Sequence, residues 1–563
     1  FLDSAVRPAP SAGSPTGYLS LWVAFTGAAL AARQEWRQGS LRFESLKTRI
    51  PRFARWWASV VSCCVLLALY WASLSMISGD SGSSVRVAFV PQWLAACIIP
   101  IGFALIGWRF FRRVEGGVWG KVGALVGMLL TAGLAYLPIE TRDSLLVPGI
   151  LILLASWPAG APLFVTLSGI AMLVFYAQGL PSSIVSAEVY RITTDGVFPG
   201  IPLLILAAVL FRHSRIPEKL SCFIRSLTGD GAVRGRIADL ASRATVTALA
   251  PFAFPPGTPA NTDRAGGELR ADLLLLRSGR AETSVPGGDA LGLLLPPCLI
   301  VALTASWTAL PPVGLYRASL RIAALLFVLL CCQSWLRGRR PRENNEREKG
   351  FERTRPSWRA AGEVVFLVAA ASLFSVGGVT VPQAASILAL GVLILSLLNR
   401  DYHPAALFGE ILTNTLAAAG SVMILLFSAL ALNGSFGYMS THFAVQESIG
   451  GLVQSPALFL LAFNFALLLL LPAIDPYAAV FLIGPLLPAI AEVYGVRWEQ
   501  LALIQLLQIA ISRLWQCPSR STGTTGVKIF LRGRPWLSIL IFMAAAMAVS
   551  YLPFLLGPGL RPR

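Results

Sequence analysis

The chain has 563 residues, of which 55% are hydrophobic and only 13% charged, with a formal net charge of +18. A soluble protein carries about a quarter charged residues, so this composition excludes an ordinary soluble domain and makes lipid the principal solvent. The basic excess lies between apolar runs, as cytoplasmic loops of a membrane protein require, and does not form the single basic face of a nucleic-acid-binding protein.

Residues 1–16 are rich in Pro, Ala, Ser and Gly and lack the basic start and apolar core of a signal peptide. With Phe1 at the first position, a truncated or processed start is expected. A membrane-spanning helix takes about 20 apolar residues. Runs of that kind predict spans near 17–32, 57–77, 89–111, 119–138, 145–178 (two passes) and 198–211. Between the first two, Trp36, Leu41, Phe43, Leu46, Ile50 and Phe53 alternate with basic residues. That pattern predicts a helix over 36–56 lying in the cytoplasmic interface. The apolar run at 244–256 is too short to span. Further spans are predicted near 289–310 and 318–336, before the polar stretch 337–359, which carries nine Lys/Arg against four acids and reads as a cytoplasmic linker. The second half predicts spans near 361–377, 382–398, 411–433, 456–473, 476–494, 499–515 and 536–556.

Loop charge sets the orientation. Residues 33–55 carry seven Lys/Arg against two acids, and Arg109, Arg112, Arg113 and Lys121 bracket the third and fourth spans. Ser78–Ser84 and Ile139–Ser144 are nearly free of positive charge, so these loops face outward. The fold expected is an all-α polytopic integral membrane protein of about 14–16 transmembrane helices with re-entrant hairpins and inverted repeats.

Enzymatic motifs are absent from the sequence. Gly116–Lys121 lacks the spacing and the Ser/Thr of a phosphate-cradling loop. The chain has no Gly-x-Ser-x-Gly elbow, and its eight cysteines include no C-x-x-C. His213, His403 and His442 are too dispersed for a metal motif. No cofactor is implied. A membrane-embedded lipid-modifying enzyme is a further alternative, for which the sequence offers no paired carboxylates or nucleophile cluster.

Four interruptions of the apolar sequence carry the chemistry instead. Pro255–Thr262 follows the short apolar run and suggests a re-entrant hairpin. There Gly257, Thr258, Asn261 and Thr262 offer oxygens to a hard cation such as Na⁺; a solvated loop is the other reading. Gly292–Cys298 holds Pro296 and Pro297, which cannot continue a helix. Broken helices at membrane depth are where secondary transporters bind ions and substrate. Asp475 is a carboxylate inside an apolar run, a functional-site candidate or a helix cap. Ser512–Gly526, with Thr522 and Gly526, is a polar break whose place in the second half corresponds to 292–298 in the first. The residues expected to bind ion or substrate are therefore Gly257, Thr258, Asn261, Thr262, Gly292, Pro296, Pro297, Asp475, Thr522 and Gly526.

At these segments the chain resembles the membrane permease of a tripartite ATP-independent periplasmic (TRAP) transporter in which small and large subunits are fused. The stretches that carry the resemblance are "YLSLWVAFTGAALAARQEWRQGSLRFE" and "VPQWLAACIIPIGFALIGWRFFRRV" for the small subunit. For the large subunit they are "GAPLFVTLSGIAMLVFY", "VSAEVYRITTDGVFPGIPLLILA", "GGDALGLLLPP" and "AIDPYAAVFLIGPLLPAIAEVYGV". The resemblance divides the chain into a small-subunit region at 1–118 lacking its first helix, a connecting helix at 119–144, a large-subunit first half at 145–336, the linker, and a second half at 360–563. It implies an inner-membrane permease with an elevator-like transport domain. Such a permease imports a small organic anion (a C4-dicarboxylate, keto acid or sialic-acid-like carboxylate) on a sodium gradient, receiving it from a periplasmic substrate-binding protein. The family's paired prolines are missing at Thr522–Gly526, and Asp263 and Arg264 stand where small residues are usual. A transport-inactive or uncoupled scaffold relative is the alternative these departures suggest.

Overall fold

The computed structural model describes residues 15–33, 51–80, 86–87, 90–134, 136–191, 197–228, 232–249, 287–307, 311–336, 358–399, 409, 411–438, 455–474, 476–515 and 536–555. In chain order the helices are α1 (Pro15–Arg33), α2 (Arg52–Asp80), α3 (Gln92–Ala96), α4 (Ile98–Arg112), α5 (Gly117–Leu134), α6 (Ile139–Ser144), α7 (Leu146–Ser156), α8 (Leu163–Ala177) and α9 (Ser183–Arg191). There follow α10 (Gly200–His213), α11 (Ile216–Thr228), α12 (Ala232–Leu249), α13 (Gly288–Gly292), α14 (Leu299–Trp307), α15 (Pro312–Leu336), α16 (Trp358–Val376) and α17 (Val381–Leu398). The last are α18 (Leu412–Tyr438), α19 (Pro456–Leu470), α20 (Pro476–Ile483), α21 (Leu487–Tyr494), α22 (Trp498–Trp515) and α23 (Trp536–Leu555). A two-residue antiparallel pair, β1 (Arg86–Val87) and β2 (Val90–Pro91), is the one sheet among the described residues.

The fold is therefore all-α and polytopic, as expected. Six described helices are long and apolar enough to cross a membrane, seven if α10 and α11, bent by 74° at Ser214–Arg215, form one broken span. Six shorter apolar helices accompany them. Several runs that read as single spans are divided. The run at 289–310 is a five-residue helix, a break and a nine-residue helix, and the run at 476–494 is interrupted by a 3₁₀ turn at Gly484–Leu486. The apolar run at 244–256 is, in its described part, the end of a helix that starts at Ala232 among charged residues.

The chain forms two compact units: 1–202 with 412–452 and 473–489, and 203–411 with 453–472 and 490–563. In the first unit α18 is the central helix, and nearly all of its apolar length is buried. Small residues let α1 meet it backbone to backbone. A Cβ on Gly27 would lie 2.0 Å from the Leu416 carbonyl oxygen, and one on Gly420 2.0 Å from the Ala28 nitrogen. Lipid provides no hydrophobic force between helices, so such close approach is how spans associate. Phe25 fills the junction, edge-on to Phe103 at 5.1 Å and 5.7 Å from Phe427. The α5 helix is mostly exposed, burying only Gly120 and Ala124. Its glycines receive Trp56 of α2, whose Nε1 donates to the Gly120 carbonyl at 3.3 Å.

In the second unit, α15 reaches the end of α16: the Arg317 Nε donates to the Ser375 carbonyl at 2.6 Å and its Nη2 to the Val376 carbonyl. A cation there satisfies the last carbonyls of α16 and complements its dipole. Gly377 and Gly378, at φ of 86° and 90°, then turn the chain into α17.

Candidate functional site

The break after α13 begins at a glycine contact. Gly288 and Gly292, one turn apart, lie against α12. A Cβ on Gly288 would come within 2.7 Å of the Arg243 Cβ, and one on Gly292 within 2.4 Å of the Thr247 Cβ and 2.6 Å of the Ala244 carbonyl oxygen. Gly292 and Pro297 are buried and Pro296 half-buried. The Pro296–Pro297 peptide is cis. Neither proline donates an N–H, so the helical donors that the Gly292 and Leu293 carbonyls would have are missing. Leu295 N–H serves Gly292 at 3.3 Å, and Cys298 N–H serves Leu295 at 3.0 Å. No backbone donor among the described residues reaches the carbonyls of Leu293 or Leu294, residues that are each 1% exposed. Buried carbonyls seldom go without a partner, and such oxygens are the ligands hard cations take. The far side of the break is fixed: Tyr316 of α15 donates to the Cys298 carbonyl at 3.0 Å and stacks edge-on to Phe374 of α16 at 5.6 Å.

Charge accompanies this break. Asp289 on α13 faces Arg243 and Thr247 of α12, with Nη1 to Oδ2 at 3.9 Å and Oγ1 to Oδ1 at 3.5 Å. Gly257, Thr258, Asn261, Thr262, Asp475, Thr522 and Gly526 lie outside the described residues. So do residues 36–50 of the segment expected to lie in the interface; its last residues, from Arg52, instead begin the long helix α2. Of the residues expected to bind ion or substrate, the structure places Gly292, Pro296 and Pro297 together.

Two further polar clusters of the second unit were not anticipated. Asn464 of α19 donates to the Ser550 hydroxyl of α23 at 2.8 Å and accepts from Gln508 Nε2 of α22 at 2.8 Å. Gln500 Nε2 donates to the Ser550 carbonyl at 2.5 Å. Asn464, Gln508 and Ser550 are essentially fully buried. The sequence signal was Gln505 and Gln508 inside the otherwise apolar stretch Leu501–Ile511, with Gln500 just before it, because polar side chains at membrane depth pair across helices. In the second cluster, Lys219 of α11 donates to Glu363 of α16 at 2.7 Å and to Asn399, just past α17, at 2.8 Å. Asn399 in turn donates to Glu363 at 3.3 Å. A carboxylate at position 363, inside a predicted span, was the signal there.

In the first unit, a cavity of about 10 Å³ among Leu69, Phe103, Ser168, Ile424, Phe427 and Ser428 has room for one water. It is too small for an organic anion. Among the described residues no group of three or more His, Cys, Asp or Glu is placed to hold a metal ion.

Residues 146–515 match the family described as the tripartite ATP-independent periplasmic transporter, DctM component, and residues 8–118 match the DctQ component of the same transporters. The chain is 22% identical over 543 residues to the isethionate TRAP transporter permease protein DctMQ of Oleidesulfovibrio alaskensis, covering 91% of this chain and 81% of that protein. It is 23% identical over 379 residues to the C4-dicarboxylate TRAP transporter large permease protein DctM of Pseudomonas aeruginosa, covering 63% of this chain and 84% of that one.

Proposed function

Because this chain belongs to the tripartite ATP-independent periplasmic transporter family and carries both membrane components in one polypeptide, we propose that it imports a small organic anion on a sodium gradient. It is a multi-pass permease, and the family implies the inner membrane and a periplasmic binding protein as its setting and partner. The substrate class is a short carboxylate or sulfonate. The names of the two relatives, isethionate and C4-dicarboxylate permeases, support that range; a keto acid falls within it, and a sialic-acid-like carboxylate is a larger alternative.

The observation that carries sodium coupling is the break at 292–298, with the buried Leu293 and Leu294 carbonyls lacking backbone donors. Sodium binds there in this reading, and the hairpin residues Gly257, Thr258, Asn261 and Thr262 complete the first cage. In the same reading Thr522 and Gly526 supply the corresponding second site and the anion binds beside these breaks, while Asp475 is a separate candidate for an ion or substrate contact. The test is thermal unfolding of the detergent-solubilised protein in sodium chloride against choline chloride. Sodium at about 100 times its dissociation constant adds about 2.7 kcal/mol to a folded state that alone binds it. An unchanged midpoint contradicts sodium binding. It would favour a transport-inactive scaffold, the reading suggested by the absence of paired prolines at Thr522–Gly526.

A further inference from the structure

Three ion pairs join described helices of the second unit, and they differ in kind. Lys219–Glu363 and Arg225–Asp239 both close at 2.7 Å. Arg243–Asp289 stands open at 3.9 Å, beyond hydrogen-bond range. The Arg243 side chain is 15% exposed, and its Nε is buried with no acceptor among the described residues. Its only ion-pair partner among them is Asp289, whose own side chain is 38% exposed. Thr247 reaches that carboxylate only at 3.5 Å. A buried guanidinium has five N–H donors in a planar fork, and leaving them unmatched is costly. The fork suits a carboxylate or sulfonate approaching with two oxygens.

The two partners also differ in freedom. The Arg243 stem lies across Gly288, where a Cβ would be 2.7 Å from the arginine Cβ and 3.5 Å from its Cδ. That contact holds the stem against α13. Asp289, more than a third exposed, is the less confined of the two and has room to turn away. One turn along α12 from Arg243, Thr247 abuts Gly292, the first residue of the break. The guanidinium therefore sits about one helical turn from the interrupted backbone.

We propose that Arg243 is the anion-binding residue of this site and that Asp289 is its built-in competitor. Asp289 partly occupies the guanidinium when the site is empty and gives way to the two oxygens of an incoming carboxylate or sulfonate. This deepens the organic-anion reading above and rests on it. It adds a specificity rule: the ligand needs an anionic head with two coplanar acceptors, and a neutral analogue of the same size does not bind.

The experiment is thermal unfolding of the full chain in detergent, titrated with the choline salts of isethionate and succinate at constant ionic strength. It needs neither sodium nor the binding protein, so it is independent of transport. The wild type is expected to be stabilised by at least one anion and not by ethylene glycol or succinamide. Arg243→Gln loses the shift. Arg243→Lys keeps part of it, because an ammonium supplies charge without the fork. Asp289→Asn lowers the half-saturating anion concentration about tenfold, the effect of removing one like charge a few ångströms from a bound anion in a partly solvated site. A shift that survives Arg243→Gln overturns this assignment and leaves the organic-anion reading standing. Absence of any shift in the wild type overturns it as well. Should Arg243→Gln not fold, Asp289→Asn decides alone, since a purely structural pair predicts unchanged or weaker anion binding in that variant.

Discussion

Gly292→Ala tests whether the break depends on the contact between α12 and α13. The added methyl would lie 2.4 Å from the Thr247 Cβ, 2.6 Å from the Ala244 carbonyl oxygen and 3.0 Å from the Ala248 nitrogen. Two of these atoms are backbone and the third is a Cβ, so no rotamer change relieves the clash. To restore ordinary contact, α13 must retreat by about 1 Å, and overpacking of this sort costs about 1–3 kcal/mol. If the cost falls on the ion-competent arrangement, it corresponds to about a 5- to 150-fold loss of apparent affinity. The assay is sodium titration of thermal stability together with uptake into proteoliposomes. Gly314→Ala on α15 is the control. Its Cβ would meet nothing closer than 3.7 Å, so replacing a helical glycine there should stabilise by about 0.5–1 kcal/mol. If Gly292→Ala behaves like Gly314→Ala in both assays, the close crossing does not position the break.

In the first unit, Gly420→Ala puts a methyl 2.0 Å from the Ala28 nitrogen and 2.2 Å from the Gly27 carbonyl carbon. The monodisperse fraction in size-exclusion chromatography should fall sharply, and Gly362→Ala, with open space around it, should be silent. Lys219→Met leaves Glu363, 9% exposed, facing Asn399 alone, and should destabilise by about 1–3 kcal/mol, less than a fully buried pair because Lys219 is partly solvated. The double variant with Glu363→Gln should recover part of that loss in a double-mutant cycle. Asn464→Leu strands the Gln508 amide and costs about 1–3 kcal/mol; adding Gln508→Leu should return some of it, whereas additive losses would mean the two residues do not communicate.

Much of the helical framework was legible because lipid imposes one rule, a long apolar run for each span. The break at Pro296–Pro297 was legible for an equally local reason: a proline pair has no N–H to give. Less legible was the segment from Ile216 to Leu249. Its helices carry Glu218, Lys219, Arg225, Arg234, Arg236, Asp239 and Arg243, so hydropathy passes over them. Partners were hidden because they are remote. Lys219 meets Glu363 across 144 positions and Asn464 meets Ser550 across 86, and no local pattern encodes those pairings. Gly288 and Gly292 were visible as residues, but their purpose appears only with α12 lying against them.

The most direct test of the account is uptake by proteoliposomes containing this chain, loaded with its periplasmic binding protein and a radiolabelled short carboxylate or sulfonate. Accumulation should follow an inward sodium gradient, stop when choline replaces sodium, and require the binding protein. Equal accumulation without a sodium gradient, or without the binding protein, would contradict it.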